Sequence, residues 1–398
     1  MKPLSRKQLL RLTGAAAGGL ALGAAGCSQQ TDSATTKQTQ QTGEPTPPAV
    51  EPFHGDHQAG IVTPQQKYLQ FASFDVHAAG RPALVALLKR WTAAAEQLTA
   101  GKGSDGMAAF DPAKLTITIG FGSTLFDHRF GLTARRPAAL VEIPHFKGDR
   151  MDPGASNGDI GVQCCSTSHE VAMRAVHAMV AAAAPQAAVR WMQDGHILNP
   201  LPGEQRETPR NLFGFKDGTN NLKPSDTAKM KSNVWVNPGD GVDWMTNGSY
   251  LVTRKIEMLV DDFLPEPLPE QQHAIGREKG TGAPIGQPSE FSPVIPRMEP
   301  IDAHIIIANP RKGNSQAERI LRRGYTYTDG FDTTINSPTG GLFFMCYQRD
   351  PRHQFISIQS RLAVGDRMAH YVIHRTSALF AVPPGIKSGG FVGQGLLA

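Results

Sequence analysis

The stretch GDIGVQCCSTSHEVAMRAVHAMVAAAAPQAAVRWMQDG, residues 158–195, reads as strand, helix and strand in close succession. GDIGVQCCSTS (158–168) reads as a strand. HEVAMRAVHAMVAAAA (169–184) is a helix that Pro185 stops, because proline lacks the amide the next turn would use. AAVRWMQDG (187–195) then alternates with period two. Working outward, YLQFASFDV (68–76) also alternates. RPALVALLKRWTAAAEQLT (81–99) sets Leu84, Leu87, Leu88, Trp91, Ala95 and Leu98 on one helical stripe, with Pro82 at its start. KLTITIGFG (114–122) is a further strand, and the order becomes β-α-β-β-α-β, a ferredoxin-like split βαβ.

The second half follows the same plan less cleanly. SYLVTRKIEML (249–259), AHIIIAN (303–309) and GLFFMCYQ (341–348) read as strands, and ALFAVPP (378–384) closes the half. DDFLPEPLPEQQHAIG (261–276) is a proline-broken helical region, and residues 353–374 are helical in part. The predicted fold class is α+β: two ferredoxin-like halves with antiparallel sheets, over 51–210 and 211–398.

The chain has 398 residues, 40% of them hydrophobic and 19% charged, the composition of an ordinary folded protein. Its net charge of +5 comes mostly from residues 1–27, which hold Lys2, Arg6, Lys7 and Arg11 and no acid. The remainder has 36 basic and 35 acidic residues, so charge gives no reason to expect a nucleic-acid partner. SRKQLL (5–10) followed by LTGAAAGGLALGAAGC reads as a twin-arginine export signal with Lys7 in place of the second arginine. It is too short and glycine-rich to span a membrane. AAGC (24–27) resembles a lipobox, in which Cys27 would carry a lipid, although Ala24 replaces the usual leucine; ordinary cleavage is the competing reading. Residues 28–50 are a polar, proline-tipped tether. Export implies a periplasmic or other extracytoplasmic location, with the membrane met only through that lipid. Cys164, Cys165 and Cys346 lack zinc spacing and read as small buried hydrophobes.

Chemistry concentrates in three places. NLFGFKDGTNN (211–221) puts Asp217 on a glycine-bounded turn flanked by aromatics. His304 lies in IDAHIIIANPR, where period two would point it into an apolar setting with Ile306 and Ala308. A lone histidine there is either a hydrogen-bonded core residue or the single axial ligand of a metal in an apolar cavity. Arg277, Arg311, Arg322 and Arg323 lie nearby in sequence and suit a ligand with an apolar body and anionic edges.

FHGDHQAGIVTPQQ (53–66), NLFGFKDGTNN, GREKGTGAP (276–284), DAHIIIANPR (302–311) and LRRGYTY (321–327) together resemble the dye-decolorising haem peroxidases. The resemblance runs from about residue 50 to the C-terminus and is nearest the exported deferrochelatase/peroxidase branch. It implies one haem b per chain, with His304 as proximal iron ligand, Asp217 as the acid of the GxxDG motif and Arg322, rather than Arg323, as distal arginine. It also implies that Gly218, Thr219, Asn220, Asn309, Pro310 and Arg311 wrap the haem and that Arg277 holds a propionate. Hydrogen peroxide and haem or porphyrin are the implied small-molecule partners. A ferrous-iron permease and an exported cupredoxin-type protein are the implied functional ones, and a homo-oligomer is left open.

Splitting peroxide requires a group that accepts and returns a proton and a cation that stabilises the leaving oxygen, roles that suit Asp217 and Arg322. The proximal histidine needs a partner on its other nitrogen, for which Glu318 and Asp302 stand nearest in sequence. Tyr325, Tyr327 and Trp244 are either surface relays for electrons or ordinary packing. His54, Asp56 and His57 could look like a metal site, but both histidines sit in a loop segment without a third partner nearby, and the segment reads as structural, or as lying near the haem access. Peroxidase activity and release of iron from haem with porphyrin left intact share one pocket; a tethered haem carrier without catalysis is the alternative from another class.

Overall fold

A computed structural model of the chain describes residues 49–102, 108–200, 208–333 and 336–398. The readings of the leader and Cys27, and nearly all of the tether, lie outside the described residues. Among the described residues nine strands make up one sheet in which every pair is antiparallel: β1 (Tyr68–Val76), β2 (Thr116–Gly122), β3 (Ile160–Ser166), β4 (Ala187–His196), β5 (Ser249–Met258), β6 (Leu321–Arg322), β7 (Tyr325–Asp332), β8 (Ser337–Gln348) and β9 (Val372–Val382).

Their order makes the internal repeat visible. The first half runs β2-β3-β1-β4 and the second β7-β8-β5-β9, the same arrangement twice. The halves join through β2–β9 (Phe121↔Ala381, Gly122↔Phe380) and β4–β7 (His196↔Thr326). Because β5 pairs with both β9 and β8, eight strands close on themselves and leave β6 beside β8. Closure removes the exposed edges that an open sheet must protect.

Two helices cover the first half. α1 (Arg81–Thr99) buries the predicted stripe, and Trp91 is fully buried with its indole N–H donated to the Met179 carbonyl. α2 (His169–Ala183) is capped by Ser168, whose Oγ accepts from the Val171 amide. Between them and the sheet lies a core that includes Phe74, Leu87, Trp91, Ile119 and Val176. In the second half α3 (Leu268–Ile275), α4 (His304–Ala308) and α5 (Phe355–Gly365) stand apart from the sheet and leave a cavity against it.

Two readings change here. Residues 304–308 form a helical turn, not a strand, and YTYTDGFD (325–332) is a strand that the alternation left unmarked. Three consecutive isoleucines favour extended backbone, but tertiary contacts satisfy the carbonyls that so short a helix leaves without partners. Arg311 donates to the Ile305 and Asn309 carbonyls at 2.9 and 2.6 Å, and Arg361 donates to the Ile307 carbonyl at 3.3 Å. Gly276, at φ +86°, ends α3 in the left-handed region; a β-carbon there would come within 2.7 Å of Ile305. The close approach of α3 to α4 therefore depends on that glycine.

Tyr325, Tyr327 and Trp244 are buried, so they pack rather than present a surface. The three cysteines of the folded part are buried and unpaired. His57 stacks on Trp235 and bonds the Asn247 carbonyl, while His54 pairs with Glu96, so this segment straps the fold; among the described residues no cluster suits a metal ion. No helix among the described residues is long and apolar enough to cross a membrane.

Candidate active site

Asp217 owes its position to the aromatics around it. Phe213 and Phe215 are buried, with Phe213 stacked on Phe263 at 4.1 Å, and they anchor the turn from below. The Asn211 carboxamide accepts from the Phe213 and Phe215 amides, and Gly214 and Gly218 take φ of +83° and +133°, which L side chains rarely adopt. Downstream, Lys216 and Thr219 both grip Glu290, at 2.6 and 2.9 Å. The turn is clamped on both sides, and the Asp217 carboxylate projects between the clamps.

Arg322 meets it there, Nη1 donating to Asp217 Oδ1 at 2.6 Å. The neighbouring Arg323 points elsewhere, into the interior, donating to the Thr63 carbonyl and to Gln66. Arg322 is the last residue of β6 and lines the cavity, whereas Arg323, just beyond the strand, does not.

His304 opens the short α4, and its Nδ1 lies 2.7 Å from Asp366 Oδ2. This carboxylate is neither of the two expected from sequence: Asp302 pairs with His273 at 2.9 Å, and Glu318 with Arg361 at 2.6 Å. Asp366 follows α5 immediately, and its other oxygen accepts from the Met368 amide at 2.9 Å, which fixes its direction. Burial alone would push the His304 pKa down; the Asp366 charge and hydrogen bond outweigh it and hold the imidazole above its ordinary value. With Nδ1 engaged, Nε2 is the nitrogen left for the cavity.

Asp217, Arg322 and His304 line one cavity, which brings together Gly218, Thr219, Asn220, Arg277, Asn309 and Arg311 as well. Pro310 does not line it. The walls between them are apolar: Ile256, Ile275, Ile305, Leu342, Phe344 and Leu362 contribute. A carboxylate-backed imidazole, apolar walls and several guanidinium groups match a macrocycle with a metal at its centre and carboxylates at its edge. The donor set fits haem. Arg277 is nearly buried and donates to the Gly282 and Glu290 carbonyls, and burial lowers the pKa of both Arg277 and Arg311. The cavity is also lined by Arg254, fully buried and paired with Asp149 at 2.5 Å, and by His374, whose pKa falls to about 3 through burial and then the Arg254 charge.

Sequence reasoning missed Asp366, Asn221 and Glu290. Asn221 stands inside the quoted motif, and its amide and carbonyl both bind the Arg322 backbone. Asp366 had a weaker signal, an aspartate at a helix end before a second short helix.

Two α+β repeats around an imidazole, a carboxylate and a guanidinium define an enzyme of the haem-peroxidase class. Residues 58–197 match the Dyp-type peroxidase N-terminal domain and residues 208–387 the C-terminal domain, and the chain belongs to the Dyp-type peroxidase family. It is 34% identical to the deferrochelatase of Yersinia pseudotuberculosis over 415 residues, covering 99% of this chain and 95% of that one. It is likewise 34% identical to the deferrochelatase of Escherichia coli O157:H7, with 87% of each covered. Among solved structures, ferric DtpA from Streptomyces lividans superposes with a TM-score of 0.83 at 38% identity, covering 88% of this chain and 97% of that one.

Proposed function

We propose that the chain binds one haem b through His304 and reduces hydrogen peroxide to water at the expense of dyes or phenolic donors, with Asp217 and Arg322 as the catalytic pair. The observation that carries this reading is the 2.6 Å contact between Asp217 and Arg322 in the cavity that His304 also lines.

Bound haem supplies the iron that holds peroxide and receives electrons. The protein's own groups do the rest. Asp366 keeps the proton on His304 Nδ1 and orients the ring, so that Nε2 remains a ligand. Asp217 accepts the proton from the near oxygen of peroxide and returns it to the far oxygen, while the Arg322 guanidinium offsets the charge that builds on the leaving oxygen. Each peroxide takes up two electrons and two protons to give two waters, so two donors each surrender one electron and one proton. Gly218, Thr219, Asn220, Asn309 and Arg311, which line the cavity, would border the macrocycle, and Arg277 would hold a carboxylate at its edge.

Likeness to proteins named deferrochelatase supports a second activity in the same pocket, removal of iron from haem with protoporphyrin left whole. In that role the chain serves iron recovery beside a permease and an exported cupredoxin-type protein, reached by twin-arginine export and, where Cys27 is lipidated, held at the membrane. A passive haem carrier would use His304 and the arginines but has no need of Asp217 beside Arg322. The test is an absorption spectrum of the purified holoprotein before and after one equivalent of peroxide. A rapid Soret change supports the peroxidase reading, and an unchanged spectrum overturns it. Anaerobic incubation with haem, assayed for free protoporphyrin, decides the second activity.

A further inference from the structure

Strand β8 stands between the haem cavity and a cluster of oxidisable side chains. Leu342 and Phe344 line the cavity, while the alternate residues Phe343 and Tyr347 turn the other way, into a core that also holds Tyr325 and Cys165. Phe343 pairs with Tyr325 and Tyr347 with Leu321, so both tyrosines sit against the strand that borders the haem site. A phenol or a thiol there is an available reductant whenever peroxide has been cleaved and no external donor is present.

Among the described residues, neither phenol donates to a group that can take its proton. Tyr347 donates to Gln163 Oε1 at 2.9 Å, and Tyr325 to Cys165 Sγ at 3.4 Å. The amide is neutral, and burial raises the pKa of the Cys165 thiol and of both phenols, so all three keep their protons. Where a base would stand there is a cation instead. Arg323 is 4% exposed, donates to the Thr63 carbonyl and the Gln66 side chain, and among the described residues pairs with no carboxylate. Its charge acts on Tyr325, Cys165 and Tyr347. A buried cation without a counter-ion costs stability, so its place calls for a reason.

We propose that Arg323 and the base-free surroundings of Tyr325 and Tyr347 insulate this core from the oxidising equivalents generated at the haem site. The proposal rests on the peroxidase reading and adds a protection that the fold supplies. Taking one electron from a phenol makes its proton strongly acidic. With no acceptor the proton stays, and a new positive charge then sits in a low-dielectric core beside a guanidinium. Both costs oppose the loss of the electron, and the equivalents are kept for external donors.

The experiment gives the holoenzyme and its Gln163→Glu variant one equivalent of peroxide without donor, then maps oxidised residues by peptide mass spectrometry. The substitution puts a carboxylate where the amide now accepts from Tyr347. One electron then leaves the phenol for the oxidised haem site, and the phenol proton passes to the new carboxylate. The expected result is roughly tenfold to a hundredfold more modification at Tyr347 in the variant, with a tyrosyl radical signal in frozen samples. Gln163→Leu, which offers no base, should match the wild type. Equal modification in wild type and Gln163→Glu, none in either, or as much in Gln163→Leu overturns the proposal. Should Gln163→Glu fail to fold, Arg323→Gln removes the cation and is expected to open Tyr325 and Cys165 to modification; their staying intact overturns the proposal equally. The Soret change in the same reaction reads the peroxidase function separately, so failure of that reading is distinguishable.

Discussion

Asn221 binds Arg322 as a neighbouring strand would: its side-chain amide donates to the Arg322 carbonyl at 2.7 Å, and its side-chain oxygen accepts from the Arg322 amide at 2.8 Å. Asn221, three residues past the GxxDG motif, thereby fixes the backbone of the arginine that Asp217 meets. Replacing Asn221 by Leu removes both bonds. The expected outcome is a tenfold to hundredfold, order-of-magnitude, fall in the rate of reaction with peroxide at unchanged haem content, because misplacing a catalytic group by about 1 Å has that effect. Stopped-flow measurement of the Soret change checks it, and a wild-type rate would show that Arg322 holds its place without Asn221.

Asp217→Asn and Arg322→Leu should each retain haem yet slow peroxide cleavage by roughly two to four orders of magnitude. Stopped-flow measurement of the Soret change, set beside the haem content of each variant, checks this; a wild-type rate in either variant would argue against the pair.

Asp366→Ala should weaken haem binding by about tenfold to a hundredfold, through loss of the Nδ1 partner that orients His304. Glu318→Gln, which breaks only a pair with Arg361, should leave haem affinity near wild type. Haem titration of the apoproteins separates the two. Equal losses would mean that Asp366 matters only for folding.

His374 links the cavity to acid stability. Its pKa in the fold is about 3, against an ordinary 6.5, so below pH 6.5 the unfolded chain takes up a proton that the folded chain refuses. The contribution is fully present above pH 6.5 and is lost as pH falls toward 3, with a slope of at most about 1.4 kcal/mol per pH unit for one proton. Thermal melts of His374→Gln between pH 7 and 4 should decline less steeply than wild type, and parallel curves would refute the assignment.

Much of the fold was legible because it depends on local pattern. The period-two runs at 68–76 and 187–195 and the helical stripe at 81–99 carry their own secondary structure, and the structure places those elements within a residue of the quoted bounds. The turn at 304–308 was not legible, because its carbonyls are satisfied by Arg311 and by Arg361, the latter more than fifty residues away. The buried Tyr325 and Tyr327 were open to two readings for the same reason: burial belongs to the packed sheet and not to the aromatic side chain.

By itself the sequence determined the two repeats and the residue types that haem chemistry requires, since periodicity, glycine-bounded turns and motif spacing are properties of short segments. Only the tertiary structure decided which groups meet. Arg322 rather than Arg323 reaches Asp217 because Thr63 and Gln66 hold the Arg323 guanidinium in the interior, and Asp366 rather than Asp302 or Glu318 holds His304 because α5 ends beside α4. Hydrogen bonds of 2.6 to 2.7 Å between residues 62 and 105 positions apart depend on how the chain closes, and no local pattern encodes that.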